Sequence, residues 1–251
     1  MQSHTSARDR WFRRFGKGVV PRRRLLCFHH AGGGPSLFRE WHNDVPPDTE
    51  VLAVAIPGRE TRITETPVTQ LHSLVDMLVD VLPLDLPFAF FGHSLGAIIG
   101  FELARQLHER KLPVPQHLFV SASPAPHLCH RDISRAKLSD VELLRLLEGF
   151  GGTPKEILEH PEFRDMVLSI LRADFILIDE YSVPDDCKIR LPITAYAGAD
   201  DLSVRLDKVL AWERWATDGF SCQQFAGEHF YLTRHREALI GSLLRSWRME
   251  E

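Results

Sequence analysis

The chain has 251 residues, of which 44% are hydrophobic, and this is enough apolar material for one sizeable core. Its formal net charge is −4, so the chain as a whole lacks the basic surface that nucleic-acid binding requires. The four cysteines are far apart and form no CxxC pair, which argues against a zinc site and a disulfide framework. Since no run reaches the roughly 18 apolar residues of a membrane span, we expect a cytoplasmic protein without nucleic-acid or membrane partners.

The first 20 residues are strongly basic, with Arg8, Arg10, Arg13, Arg14 and Lys17. A secretory signal would place an apolar stretch after these charges, whereas the next apolar residues belong to the first predicted strand. We therefore expect a flexible, solvated arm over residues 1–20, with docking to an acidic partner as the alternative. Residues 21–251 are expected to form a single domain.

From residue 24 onward, short apolar runs alternate with segments of helical periodicity. Such alternation is typical of the α/β class, in which helices cover both faces of a mostly parallel sheet. The predicted strands are 24–29, 51–56, 88–92, 117–121, 191–197 and 220–225, and the predicted helices are 36–45, 71–82, 95–110, 207–216 and 234–247.

The segment 124–187 interrupts this alternation, because it contains helical patterns and no convincing strand. Capping-box patterns begin at Ser139 and Thr153, and residues 166–178 form a further helix pattern. The glycine-rich stretch 149–152 predicts a flexible joint between them. Because the segment lies between two strands at their carboxyl side, it is predicted to be a helical lid, with a purely structural subdomain as the alternative.

The pentapeptide Gly92-His93-Ser94-Leu95-Gly96 stands between a buried strand and a helix. That context distinguishes a nucleophile elbow from an ordinary Gly/Ser turn. The elbow would expose the Ser94 hydroxyl at the amino end of the helix, where backbone N–H groups stabilise developing negative charge. The sequence therefore predicts Ser94 as a nucleophile.

A serine nucleophile needs a base and an acid, which follow it along the chain in this architecture. His229 comes directly after a strand and is the favoured base, with a loop histidine of no catalytic role as the alternative. Asp200 and Asp201 both follow the strand 191–197. Spacing slightly favours Asp201 as the acid and Asp200 as the cap of the turn, but leaves the choice open.

The oxyanion formed on attack requires two backbone donors. One is the N–H of Leu95, and the other comes from the loop after the first predicted strand, where Ala31 precedes three glycines. Those glycines let the backbone approach a substrate carbonyl, although a glycine-rich turn with no such role is the alternative.

From about Leu25 to Leu244 the chain resembles the type II thioesterases of polyketide and non-ribosomal peptide synthesis, which are related to the thioesterase of fatty acid synthesis. The resemblance rests on five segments of the sequence, 27–33, 56–60 with Arg62, 92–96, 198–201 and 227–232. It implies an α/β-hydrolase fold with Ser94 as nucleophile, His229 as base and Asp201 as the third member. The chain departs from the family at His29, where proline is usual, and at Glu228, where glycine is frequent.

The resemblance implies that acyl groups are hydrolysed from the phosphopantetheine thiol of a carrier protein, which clears stalled or aberrant units. Arg59 and Arg62 would then contact the carrier's phosphate or acidic surface, with a solvated loop as the alternative. No metal or cofactor is expected, and the protein is expected to be a monomer. The rival functions are a carboxylester hydrolase or lipase, an acyl transferase, and a carrier-binding partner without catalysis.

Overall fold

The computed structural model describes residues 7–16, 20–129, 134–150, 160–184 and 189–247. At its centre is a seven-stranded sheet with the strand order β1-β3-β2-β4-β5-β6-β7. The strands are β1 (Phe12–Arg13), β2 (Arg23–Phe28), β3 (Thr49–Val54), β4 (Phe88–His93), β5 (Leu118–Ser121), β6 (Ile193–Gly198) and β7 (Phe220–Phe225).

The sheet is parallel from β2 to β7, and only β1 runs antiparallel, against β3. Strands β2, β4, β5 and β6 are buried along their whole length, as their continuous apolar runs predict. Strand β7 lies at the edge and buries only its last residue fully. The predicted α/β class and mostly parallel sheet are confirmed.

Helices cover both faces of the sheet. They are α1 (Ala7–Trp11), α2 (Leu71–Val81), α3 (Leu95–Glu109), α4 (Asp140–Phe150), α5 (Pro161–Asp179), α6 (Leu206–Leu210), α7 (Tyr231–Arg234) and α8 (Arg236–Ser246). One face packs on α2 and α3, and the opposite face packs on α8. The carboxyl ends of β2, β4 and β6 therefore meet at one edge, where the predicted site residues lie.

Two segments predicted as α-helices form wholly or partly as 3₁₀ turns. Segment 36–45 forms two 3₁₀ turns, Pro35–Phe38 and Trp41–Asn43, and segment 207–216 is α6 followed by the 3₁₀ turn Ala211–Trp215. In both segments two buried aromatic residues are three positions apart, Phe38 with Trp41 and Trp212 with Trp215. A spacing of three also fits the 3₁₀ period, so this pattern does not distinguish the two helix types.

The expectation of a flexible arm is wrong for residues 7–16. Trp11 and Phe12 are buried, and Phe12 pairs with Val54 as β1 extends the sheet. Two arginines of this segment also bind carboxylates of the chain itself, Arg10 with Glu65 and Arg14 with Glu50. Trp11 and Phe12 therefore anchor this segment to the sheet, although its charge alone suggested that it is exposed to solvent.

Helices α4 and α5 form a cap over the carboxyl edge of the sheet, and the described residues of the segment 124–187 contain no strand. The capping box at Ser139 is present, since its backbone N–H donates to Glu142 Oε2 at 2.8 Å. The predicted joint at 149–152 is wrong for Gly149 and Phe150, which complete α4. The second capping box, at Thr153, lies outside the described residues.

The turn from β4 into α3 leaves no room for side chains at its two glycines. A Cβ on Gly92 would lie 2.2 Å from the carbonyl oxygen of Gly96, and a Cβ on Gly96 would lie 2.1 Å from that of Phe28. Helix α3 therefore crosses β2 with the backbones of the two elements in direct contact. This close approach fixes the position of Ser94 relative to the loop that follows β2.

Replacing Gly96 with alanine should lower the free energy of unfolding by on the order of 2–4 kcal/mol, because the backbone of Phe28 must move. Gly149 on α4 is a matched control, since a Cβ there meets nothing within 4 Å. Gly149→Ala should raise stability by about 0.5–1 kcal/mol through its effect on the unfolded chain. Urea unfolding of both variants measures the difference, and equal effects would contradict the backbone contact.

Candidate active site

Ser94 is held in a strained backbone conformation. It is not a glycine, yet its φ is 55° and its ψ −116° at the junction of β4 and α3. Its N–H donates to the carbonyl of Ser121 at the end of β5, at 2.8 Å, which ties the turn to the neighbouring strand. Such strain persists where the surrounding structure determines it, and it is common at functional sites.

Asp201 and His229 form a buried hydrogen-bonded pair. His229 Nδ1 lies 2.7 Å from Asp201 Oδ2, and both side chains are almost inaccessible to solvent. The other oxygen, Oδ1, accepts the backbone N–H groups of Ser203 at 2.8 Å and Val204 at 3.1 Å. Burial raises the pKa of Asp201, but the hydrogen bonds from His229 and these amides outweigh it and lower the pKa overall.

Because Asp201 is therefore a carboxylate and can only accept, His229 Nδ1 carries the proton of this hydrogen bond. In the neutral imidazole, Nε2 is then the unprotonated nitrogen. His229 and Ser94 line the same cavity. The ring of Phe150 at the end of α4 covers the imidazole, with 5.1 Å between the centroids.

Asp200 has a different task from its neighbour. Its carboxylate accepts the N–H of Gly227 at 3.0 Å, and its own N–H donates to the carbonyl of Gly227 at 2.9 Å. Asp200 thus fastens the turn after β6 to the turn after β7. The two adjacent aspartates therefore have different hydrogen-bond partners, and the catalytic role of Asp201 stays a prediction.

Ala31 and Leu95 lie beside Ser94 in the same cavity. Leu95 is the first residue of α3, where backbone N–H groups have no partner within the helix. Ala31 opens the loop after β2, and its carbonyl accepts a hydrogen bond of 2.8 Å from His30 Nδ1. The N–H groups of Ala31 and Leu95 stay the predicted oxyanion donors.

Three further histidines surround the site in neutral form. Burial lowers the pKa of His30 to about 4. Burial also lowers the pKa of His29 and of His93 well below the usual value, with Arg59 adding to the effect at His29 and His229 adding to it at His93. Since none of the three is charged near neutral pH, they place no competing cation beside His229.

The cavity beside Ser94 extends between the sheet edge and the cap, and its wall is mostly apolar. We call it the inner cavity. Its apolar wall residues are Leu147, Phe150, Val167, Phe175, Ile178 and Phe230, the first five of which belong to α4 and α5.

A second cavity, which we call the outer cavity, also reaches Ser94 and has a volume of ≈ 580 Å³. Among the described residues, its lining includes four cationic side chains and no carboxylate. The cations are Arg135, Arg145, Arg205 and Lys208. Ser94 and His229 belong to the linings of both cavities, so the hydroxyl lies where the two meet.

Arg59 and Arg62 are not available to a carrier, which corrects the expectation for both. Arg59 is 3% exposed and binds Asp174 through two hydrogen bonds of 2.7 and 2.8 Å. Arg62 is 7% exposed, binds Glu65, and donates to the carbonyl of Ala55. Each guanidinium binds a carboxylate inside the protein, which spacing in a predicted loop did not reveal.

The sequence interpretation missed two charged residues of the cap. Asp174 lies on α5 and accepts the N–H of Gly32, the residue after Ala31, at 2.7 Å. Arg135 lines both cavities, and its guanidinium binds Asp179. The signal for Asp174 was its position, since Leu171, Asp174, Phe175 and Ile178 share one face of a helix and three of them are apolar.

Within the described part of the chain, no group of three or more His, Cys, Asp or Glu residues has an arrangement that could hold a metal ion. In the same residues, no helix combines the length and apolar character needed to cross a bilayer.

Comparison with known proteins agrees with this geometry. Residues 23–246 match the family model described as "Thioesterase domain". The chain belongs to this family. The match begins at the first residue of β2 and ends at the last residue of α8, so it includes the whole parallel sheet, the cap and the site.

Individual thioesterases resemble the chain over most of its length. The gramicidin S biosynthesis protein GrsT of Aneurinibacillus migulanus is 35% identical over 96% of this chain and 95% of its own. The human medium-chain S-acyl fatty acid synthase thioesterase is 35% identical over 83% of this chain and 80% of its own. The structure of the type II thioesterase BorB, from the borrelidin biosynthetic cluster, superposes with a TM-score of 0.86 at 33% identity, covering 98% of this chain and all of BorB.

The different environments of the two aspartates predict different effects of removing their charge. Asp201→Asn should lower kcat by on the order of 10³–10⁴-fold, because the amide no longer holds His229 in the required tautomer. Asp200→Asn should leave kcat close to the wild-type value, since an amide oxygen can still accept the Gly227 N–H. Steady-state hydrolysis of an acyl thioester by both variants measures the effect, and a larger loss for Asp200→Asn would reverse the assignment.

Proposed function

We propose that the protein is a serine thioesterase that hydrolyses acyl groups from the phosphopantetheine thiol of carrier proteins. In this role it releases stalled or aberrant units in polyketide or non-ribosomal peptide synthesis. The observation that carries the proposal is the placement of Ser94 between two cavities, beside His229, which is itself bound to the buried Asp201. Membership in the thioesterase family and the likeness to GrsT and BorB support it.

Acylation uses the unprotonated Nε2 of His229. This nitrogen takes the proton of the Ser94 hydroxyl while Oγ attacks the thioester carbonyl carbon. The carbonyl oxygen becomes an oxyanion that the N–H groups of Leu95 and Ala31 stabilise. When the intermediate collapses, the C–S bond breaks and the departing sulfur takes the proton from His229, which leaves a free carrier thiol and an acyl ester on Ser94.

Deacylation repeats the same proton transfers with water. His229 takes a proton from water as its oxygen attacks the acyl ester, and the oxyanion again faces the Leu95 and Ala31 amides. Collapse returns the proton to Ser94 Oγ and releases a carboxylic acid. Asp201 stays ionised throughout, because its function is to hold and stabilise the imidazolium of His229.

The two cavities suit the two halves of the substrate. The inner cavity is apolar, bounded by α4 and α5 and small, at ≈ 50 Å³, so it suits a short acyl group, whereas the wider, cationic outer cavity suits the phosphopantetheine arm. A thioester carbonyl would then lie at Ser94, where the cavities meet. The cytoplasmic location, the monomeric state and the absence of nucleic-acid and membrane partners stay predictions from the sequence.

The proposal is tested with a panel of carrier proteins loaded with different acyl groups, followed by mass spectrometry of the carriers. Wild-type enzyme should return the free thiol form, and Ser94→Ala should leave the acyl form intact. Oxygen esters with the same acyl groups are the comparison. A strong preference for the esters would indicate a carboxylester hydrolase, and unchanged release by Ser94→Ala would exclude the serine mechanism.

The two other rival functions, acyl transfer and carrier binding without catalysis, predict results that differ from those of hydrolysis. Acyl transfer would yield an ester or amide of an added acceptor in place of the carboxylic acid. A binding partner would restore product formation in cells that lack the protein even when it carries Ser94→Ala.

The cations of the outer cavity replace Arg59 and Arg62 as the residues proposed to meet the carrier. Arg205 and Lys208 are both exposed at its mouth, although Arg205 also lies 3.1 Å from Asp207. A phosphopantetheine arm carries a phosphodiester at the end that joins the carrier. If this phosphate rests at the mouth, the cations bind it through charge-assisted hydrogen bonds.

The double variant Arg205→Gln/Lys208→Gln should lower kcat/KM roughly tenfold for acyl carriers and acyl-CoA, as expected for loss of about one charged hydrogen bond. Acyl-pantetheine, which has no phosphate, should be hydrolysed at the wild-type rate. Arg13→Gln is the control, because Arg13 is exposed on β1 at the opposite edge of the sheet. An equal loss with acyl-pantetheine would contradict a phosphate contact.

A further inference from the structure

The backbone around Ala31 is held on both sides by hydrogen bonds. In the preceding peptide unit, the carbonyl of His30 accepts His29 Nδ1 at 2.8 Å and the N–H of Gly33 at 3.1 Å. A trans peptide is planar, so fixing this carbonyl fixes the direction of the Ala31 N–H on the other side of the same unit. The donor proposed for the oxyanion is thus oriented before any substrate binds.

The following peptide unit is held at both of its polar atoms. The carbonyl of Ala31 accepts His30 Nδ1 at 2.8 Å, and the N–H of Gly32 donates to Asp174 Oδ2 at 2.7 Å. The His30 bond is local, whereas Asp174 comes from α5 in the cap, 142 positions away along the chain. One of the two bonds on this unit therefore exists only while the cap helix is in place.

The Asp174 carboxylate reaches the loop as a fully buried charge. It is 0% exposed, and Arg59 binds both of its oxygens, at 2.7 and 2.8 Å. The Arg59 guanidinium also contacts the donor loop at the carbonyl of Gly33, at 3.4 Å, and its own loop at the carbonyl of Pro57, at 3.5 Å. Three segments that are remote in sequence thus meet at one ion pair.

Stability alone does not account for this arrangement. A buried ion pair is often no more stabilising than apolar residues of similar volume, because both charges lose their hydration. The Arg59 Nε is also buried and has no hydrogen-bond partner among the residues that the structure describes, which adds a desolvation cost. What an apolar pair would lack is an acceptor for the Gly32 N–H.

We propose that Asp174, held by Arg59, is a positioning residue for the oxyanion donor, so that the donor loop is complete only while α5 is in place. This inference rests on the proposed hydrolysis at Ser94. The triad itself does not need α5, whereas the proposed role of Asp174 requires that α5 be in place. The cap helix takes part in forming the catalytic geometry as well as covering the inner cavity.

The decisive variant is the double substitution Arg59→Met/Asp174→Leu, which removes both charges and keeps the volume similar. It should fold about as stably as wild type, yet kcat for an acyl thioester should fall roughly 100-fold because one oxyanion donor loses its support. KM should stay within about threefold, since the donor acts mainly on the transition state. Asp174→Asn, which keeps an acceptor for Gly32 but loses the charge, should show a smaller loss, roughly tenfold.

A boronic acid that forms a tetrahedral adduct with Ser94 separates positioning from a general loss of structure. Its dissociation constant should rise by the same factor as kcat falls, while a non-cleavable thioether analogue of the substrate should bind as in wild type. Glu102→Gln is the matched control. Glu102 is a buried carboxylate on α3 that binds Arg105 and Tyr181, so its loss should lower stability without changing boronate affinity.

The inference is overturned if the folded double variant, or Asp174→Asn should the double variant not fold, keeps wild-type kcat and boronate affinity. It is also overturned if Glu102→Gln weakens boronate binding as much as Asp174→Asn does. Failure of the proposed function looks different, because wild-type enzyme itself would then not hydrolyse thioesters, whatever its affinity for the boronic acid.

Discussion

The geometry of the site depends on the close backbone contact where α3 crosses β2. A Cβ on Gly96 would lie 2.1 Å from the carbonyl oxygen of Phe28, so the helix and the strand can approach this closely only without a side chain there. The contact brings the residue after β4, Ser94, beside the loop that follows β2. The distance between Ser94 and the loop after β2 is therefore fixed by backbone packing. This packing involves neither a charged group nor a flexible side chain.

Around this contact the chain supports the site with hydrogen bonds from several remote segments. The turn after β6 provides Asp201 for His229, and Asp200 fastens that turn to the one after β7. The cap provides Asp174 for Gly32 and Phe150 over His229. Preorganisation of this kind lowers the barrier of a reaction because the donors need not reorient as charge develops.

The sequence allowed the sheet and the elbow to be predicted, because both have local signals. Buried parallel strands appear as continuous apolar runs, and the elbow needs glycines at fixed positions around its serine. The order of nucleophile, acid and base along the chain also pointed to His229 and to the adjacent Asp200 and Asp201, between which the family resemblance favoured Asp201. The Arg59–Asp174 pair has no such signal, since its members are 115 positions apart and only the folded chain brings them together.

The errors at the N-terminus and in the loop after β3 have the same origin. Arg14 was expected in a solvated arm, and Arg59 was expected at a carrier or in a solvated loop, but Arg14 binds Glu50 and Arg59 binds Asp174. Charge along a sequence does not tell whether a partner is present in the fold. Likewise, 3₁₀ turns replaced part of two predicted helices because a spacing of three residues fits both periods.

The central claim is that Ser94 carries the acyl group between carrier and water. Rapid mixing of wild-type enzyme with an acyl-loaded carrier, acid quenching within milliseconds and mass spectrometry of the digested protein test it most directly. The account predicts one added acyl group, on the peptide that contains Ser94, which disappears as the carboxylic acid is released. Release of the acid by Ser94→Ala at the wild-type rate, with no acylated peptide at any time, would contradict it.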